Sequence, residues 1–224
     1  MMNKNGYDFL DDVIERNKTP LKLEQLLLAQ KGGALVLDVR SANEFAKGFL
    51  KDSINIGLDG QFGPWVGALI DSDRSIIVVC NSKKVDETFI RLARVGYENV
   101  IGFLNESDLP SNLETITSLS SDSSADLIYN KTNQLILDVR KPSEVVSGHV
   151  LNSKHIRLQK LEERLSELDK ESEIIVYCEG GYRSMISCSI LKKYGYNNLI
   201  NVSEGYSKLK HEKNISLTKN ACKA

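Results

Sequence analysis

Short β-branched runs alternate with stretches of helical period along this chain. In the second half, Leu135–Val139, Ile174–Tyr177 and Leu199–Val202 are apolar runs without alternation, while Leu158–Leu168 places apolar residues at 158, 161, 165 and 168, and Met185–Tyr194 forms a further helical stretch. The pattern predicts strand, helix, strand, helix, strand, an α/β arrangement. Strands that are apolar on both faces belong to a parallel sheet covered by helices on either side. Chemistry is then expected at the carboxyl ends of the strands.

The pattern occurs twice. Leu37-Asp38-Val39-Arg40 matches Leu137-Asp138-Val139-Arg140 at an offset of 100, and Glu44, Gly48, Ser53 and Ile56 fall on Glu144, Gly148, Ser153 and Ile156. Ile76–Cys80 falls on Ile174–Cys178, and Gly96-Tyr97 on Gly195-Tyr196. Two copies of one fold are the simplest explanation. The Ser-, Asp- and Asn-rich stretch from Asn105 to Asp126, with Pro110, marks the boundary near its beginning. The expected organisation is an extension over 1–19, a first domain over 20–108, a second over 109–210 and a tail over 211–224.

Composition narrows the field. The 224 residues are 41% hydrophobic and 26% charged with 15 Gly and 4 Pro, which suits globular domains able to bury a core. Lys plus Arg (29) against Asp plus Glu (30) leaves a net charge of −1, so no nucleic acid or anionic membrane is expected to be held by bulk electrostatics. The opening MMNKNGYDFL has no apolar signal core and no run approaches the ~18 apolar residues of a membrane span, so a cytoplasmic protein is expected. Cys80, Cys178, Cys188 and Cys222 form no close CxxC pair and only His149, His155 and His211 could assist them, so neither a disulfide scaffold nor a metal or other cofactor is expected.

Cys178 ends an apolar run and is followed by Glu179-Gly180-Gly181-Tyr182-Arg183-Ser184, leading into a helical stretch. Adjacent glycines allow tight conformations that turn successive N–H groups into one concavity. A helix start adds unpaired N–H groups and the positive end of a dipole, and Arg183 adds a charge. Such a loop binds an anion and favours the thiolate of Cys178.

These residues resemble the rhodanese (sulfurtransferase) family. The resemblance covers nearly the whole chain as two rhodanese-like domains, each a small parallel sheet flanked by helices. In the second domain it is carried by Leu137–Arg140, Glu144, Gly148-His149 and the Cys178–Ser184 loop. It implies that Cys178 takes the outer sulfur of a small anionic donor, thiosulfate or a low-molecular-weight persulfide, holds it as a persulfide and yields it to a thiol or cyanide-like acceptor. Arg183 would bind the donor, and Glu179, Gly180, Gly181, Tyr182 and Ser184 would form the cradle. Arsenate reductases and dual-specificity phosphatases on related folds resemble this loop but carry one residue more between Cys and Arg. The smaller ring here favours a single sulfur atom over a tetrahedral oxyanion.

Neighbouring residues receive quieter roles. Arg140 and Glu144 are expected to form a short-range structural pair, with Asp138 bracing nearby loops. His149 is expected to support the site without doing chemistry, and His155 to lie at the surface. Cys188 is expected to be buried on its helix, and the tail Lys208–Ala224, which contains Cys222, to be a mobile solvated end. In the first copy Cys80 is followed by Asn81-Ser82-Lys83-Lys84, with neither glycine nor arginine, and Phe49 stands where His149 does, so that domain is expected to be inactive. Its Gly57–Gly67 run and Arg91–Tyr97 resemble the rhodanese pair at the carboxyl end of metallo-β-lactamase-fold proteins. The HxHxDH metal motif of that hydrolase-like domain is absent from this sequence, so the resemblance implies either a fragment of such a fusion or a free-standing relative, with a metallo-β-lactamase-fold domain as one candidate partner and non-catalytic docking or persulfide relay for it as the alternative role. Phe62, Pro64 and Trp65 would form a helix start packed on the core, or an interface.

Inserting one glycine between Gly181 and Tyr182 should enlarge the cradle and depress sulfur transfer. Undiminished transfer by that variant would show that ring size does not select the chemistry.

Overall fold

The computed structural model describes residues 15–131 and 133–218. In chain order its elements are α1 (Leu23–Lys31), β1 (Leu35–Asp38), α2 (Ala42–Lys47), β2 (Ile54–Asn55), α3 (Phe62–Leu69), β3 (Ile76–Cys80), α4 (Val85–Arg94) and β4 (Val100–Asn105). There follow β5 (Thr117–Leu119), α5 (Ser121–Asn130), β6 (Leu135–Asp138), α6 (Pro142–Val146), β7 (His149–Val150), β8 (Lys154–His155), β9 (Ile174–Tyr177), α7 (Tyr182–Lys193), β10 (Leu199–Val202), α8 (Tyr206–Leu209) and β11 (Leu217–Thr218). By contact the chain divides into two units, one built from 1–40 and 56–113, the other from 41–55 and 114–224.

In the first unit β3 pairs in parallel with β1 and with β4. Every residue of β1 and β3 is buried, as strands without alternation require. Phe62, Trp65 and Val66 are buried on α3, so the Phe-Gly-Pro-Trp run is a helix start packed on the core. In the second unit five parallel strands run in the order β5-β10-β9-β6-β8, with β9 and β10 wholly buried. A core of Ile136, Val150, Ile175, Tyr177, Val202 and Tyr206, among others, lies against this sheet.

Four expectations change. Leu158–Leu168 does not form an α-helix but two 3₁₀ turns, Leu158–Lys160 and Glu162–Glu167, broken at Arg164 with φ −118° and ψ 17°. Leu158, Leu161 and Leu168 are still buried, because a turn of three residues also returns positions 158 and 161 to one side. The chain beyond Lys208 is not an unstructured end as far as it is described: it completes α8, and β11 pairs antiparallel with β7, Leu217 opposite Val150. Cys222 lies outside the described residues. His155 is half-buried on β8, its Nε2 2.9 Å from the Arg140 carbonyl oxygen.

The fourth change concerns Arg140, whose partner is Asp138 and not Glu144. Arg140 Nη2 donates to Asp138 Oδ2 at 2.8 Å and to the Gly148 carbonyl at 2.8 Å, and Nε donates to Asp138 Oδ1 at 3.0 Å. The Tyr177 hydroxyl donates to Asp138 Oδ2 at 2.7 Å, and the guanidinium lies 3.9 Å from the centre of the Tyr206 ring. Burial pulls the Arg140 pKa down, but the hydrogen bond and charge of Asp138 outweigh it and raise it. Burial, then Asp138, raise that of Tyr177. The first unit repeats the pair, with Arg40 Nη2 2.6 Å from Asp38 Oδ2.

Arg140→Ala should lower the unfolding free energy by about 3–5 kcal/mol, since it leaves a buried carboxylate without its partner. Urea denaturation measures this; a loss below ~1 kcal/mol would mean that Asp138 is sustained by its other partners.

Candidate active site

Cys178 follows β9 at the carboxyl end of the sheet and is 1% exposed. The loop that leaves it reverses direction at Gly181, which has φ 87° and ψ −20°, and α7 begins at Tyr182. A Cβ on Gly181 would lie 1.8 Å from the Ser203 carbonyl oxygen, so glycine is required there on steric grounds as well as by its left-handed backbone. A Cβ on Gly180 would meet no atom within 4 Å, so the first glycine leaves open space instead of relieving strain.

The turn points the Gly181 N–H at Cys178 Sγ, 3.2 Å away. Ser184 Oγ lies 3.6 Å from the sulfur and donates to the Gly181 carbonyl at 2.9 Å. As a thiol, Cys178 donates to Ser184; as a thiolate, it can accept from the same hydroxyl after a rotation about its C–O bond. The loop is held from below by the start of α8: Tyr206 N–H donates to the Cys178 carbonyl at 2.7 Å and Ser207 N–H to that of Glu179 at 2.9 Å. Gly205 allows this approach, since a Cβ there would lie 2.6 Å from the Glu179 backbone.

Arg183 is placed beside the loop and is already engaged. Its Nη1 and Nη2 donate to Glu144 Oε2 and Oε1 at 2.6 and 2.7 Å, a two-point fork between α7 and α6. Hydrogen bonding from Arg183 holds the Glu144 carboxyl well below its ordinary range, at about 2. The same bond, and to a smaller extent the Cys178 and Glu179 charges, raise the Arg183 pKa against the pull of burial. Glu179, 43% exposed at its side chain, reaches Arg140 Nη1 at 3.3 Å. A cavity of about 620 Å³ runs beside the loop, lined by Glu144, Glu179, Tyr206, Arg140, Ser147 and Lys210 among others.

Of the residues singled out from sequence, the structure gathers Cys178 through Ser184 and Glu144 into one site, and sets Asp138 and Arg140 behind it. His149 Nδ1 lies 3.2 Å from the carbonyl oxygen of Val145, on the helix that carries Glu144. Cys188 is fully buried on α7, where burial, and then the Cys178 charge, raise its thiol pKa. Sequence reasoning missed Tyr177, Gly205, Tyr206 and Ser207; a Gly-Tyr step that follows the run Leu199–Val202 after two intervening residues was the available signal. Among the described residues no three His, Cys, Asp or Glu side chains cluster as a metal site requires, and no helix is long and apolar enough to cross a membrane.

The first unit has the strand end without the cradle. Cys80 is fully buried, and burial, then the Asp38 and Glu106 charges, push its thiol up to about 12. The residues that follow form a 3₁₀ turn capped by Asn81, whose side chain also bonds Glu106.

Because the folded-state pKa of Glu144 is depressed from 4.5 to about 2, its pairing contributes stability in full above 4.5, and the contribution fades as pH falls through about 2. Wild type should therefore be more stable than Glu144→Gln at pH 6, with the gap narrowing between pH 4.5 and 2. A gap independent of pH in urea titrations would mean that the charge on Glu144 contributes nothing.

A family model described as "Rhodanese-like domain" matches residues 19–107 and 121–212. A protein named "Sulfurtransferase" from Allochromatium vinosum is 26% identical over 90 residues, 40% of this chain and 84% of the relative. Two Bacillus subtilis proteins also match. "Putative sulfur carrier protein YrkF" is 32% identical over 94 residues, 42% of this chain and 51% of its own length. "Putative sulfurtransferase YtwF" is 36% identical over 70 residues, 31% and 67% respectively. With the two matches together spanning most of the sequence, the chain belongs to the rhodanese-like family as a tandem of two such domains, a family in which sulfurtransferases are among its relatives.

Proposed function

We propose that this chain moves a sulfane sulfur from an anionic donor, thiosulfate or a low-molecular-weight persulfide, to a thiophilic acceptor through a persulfide on Cys178. The observation that carries this reading is the Gly181 N–H aimed at Cys178 Sγ across a ring closed by Ser184. An N–H fixed on a sulfur stabilises negative charge there without reorganisation, both on the thiolate and on a sulfur bonded to it. The sulfurtransferase names among the relatives point the same way.

The thiolate attacks the outer sulfur of the donor, and the Cys178–sulfur bond forms as the donor's S–S bond breaks. The electron pair of that bond leaves with sulfite or the parent thiolate. A cyanide or thiolate acceptor then attacks the outer sulfur of the persulfide, and the electron pair returns to Cys178. No outside oxidant or reductant is needed. Arg183 contributes positive charge beside the ring for the anionic donor, with Glu144 fixing its orientation. Cys80, buried, lacking the ring and opposed by the Asp38 and Glu106 charges, takes no part.

Thiosulfate:cyanide transfer should be present in wild type and abolished by Cys178→Ser. Arg183→Ala should cut kcat/KM for the donor by about 10- to 100-fold, the worth of one charge-assisted contact, with Arg183→Lys recovering only part because the fork is lost. Wild type that transfers no sulfur from thiosulfate or from a persulfide would leave the docking module as the better reading.

A further inference from the structure

The helix that starts on the Cys178 loop has no solvent-facing side over most of its length. From Ser184 to Leu191 every residue of α7 is buried, including the small polar Ser187 and Ser189. A helix buried all round needs cover on every face. Strands β9 and β10 pack on it from the sheet, and β2 and α2, from residues 41–55, pack on it as well. The helix at the matching place in the first unit, α4, buries only Thr88, Phe89 and Leu92 and carries Asp86, Glu87, Arg91 and Arg94. The two copies therefore differ in more than the cysteine loop.

Residues 41–55 are tightly fixed in the second unit. The Ile116 N–H donates to the Ala46 carbonyl at 3.1 Å, and Phe49 and Glu114 exchange backbone hydrogen bonds of 2.9 and 3.0 Å. The rings of Phe45 and Phe49 stack 4.1 Å apart, both buried. At the far end, the Asn55 N–H donates to Ser189 Oγ at 3.0 Å, and the same hydroxyl donates to the Ile186 carbonyl at 2.7 Å. One buried serine thus ties the middle of α7 to the backbone of β2.

We propose that residues 41–55 position the Cys178 loop: Phe45 and Phe49 seat the segment, and the Asn55–Ser189 hydrogen bond fixes α7 along its axis, which sets Arg183 and Ser184 against Cys178. The first copy, with no cradle of its own, lends this segment to the second. Ser189 and Asn55 are positioning residues and touch no substrate. The inference rests on the reading of the Cys178 ring as the reacting site, and its test separates the two.

The test uses the full chain and two readouts, steady-state sulfur transfer and the rate at which Cys178 is alkylated by iodoacetamide at a fixed pH in the folded protein. Ser189→Ala should lower kcat and the Cys178 alkylation rate by about fivefold each, the worth of one neutral hydrogen bond, with KM for thiosulfate little changed. Ser189→Thr, which keeps the hydroxyl, should recover most of both. Leu92→Ala, a core truncation on α4 of the first unit, should weaken the fold without changing either rate in the folded protein. If Ser189→Ala does not fold, Phe49→Leu serves with the same expectations. Unchanged kcat and alkylation in Ser189→Ala, or equal losses in Leu92→Ala, would overturn the proposal. A wild type without sulfur transfer whose alkylation still slows in Ser189→Ala would leave positioning intact and remove the transferase reading instead.

Discussion

The peptide of Gly181 is the constraint on which the site depends. With its Cα pressed against the Ser203 carbonyl and its backbone left-handed, Gly181 takes the turn that directs its own N–H back at the sulfur. The same turn starts α7 at Tyr182 and places Arg183 where the Glu144 carboxylate can grip it. Ser203 is itself fixed by β5, its N–H donating to the Leu119 carbonyl at 2.9 Å. A side chain on Gly181 would thus have to displace sheet-anchored backbone, with no flexible group nearby to yield.

Beneath that turn lies a framework common to both copies. Asp38 with Arg40, and Asp138 with Arg140, close the same buried ion pair after the first strand of each copy. Breaking such a pair is costly, but keeping it says little about chemistry. The cysteine loops diverge above it. Around Cys178 an N–H and a hydroxyl converge on the sulfur, whereas around Cys80 burial and then two carboxylates oppose a thiolate. The same scaffold thus brings a strand end to a cysteine inside a glycine ring in one copy and to a cysteine without one in the other.

Much of this was legible in the amino-acid order. The unalternating strands, the repeat and the Cys-Glu-Gly-Gly-Tyr-Arg-Ser run gave the parallel sheets and the loop, because each reflects a local rule of burial or turn geometry. What escaped was set by distant residues. Glu144 was paired with Arg140 on sequence closeness, yet its carboxylate belongs to Arg183, 39 positions away. Leu158–Leu168 reads as helix because spacings of three and four suit both an α-helix and successive 3₁₀ turns. Tyr206, which both anchors the loop and carries Arg140 on its ring, had only a Gly-Tyr step to announce it. The role of residues 41–55 had no signal within their own sequence; the hint was in α7, whose Ser-Met-Ile-Ser-Cys-Ser-Ile-Leu run offers no charged face to water.

The central claim, that sulfur is carried on Cys178 alone, is tested most directly by peptide mass spectrometry of the full chain after brief incubation with thiosulfate and alkylation of the products. One added sulfur atom is expected on the peptide that contains Cys178, with its loss on adding cyanide and no added sulfur on Cys80 or Cys188. An added sulfur on Cys80, or none on Cys178 while the protein turns over, would contradict it.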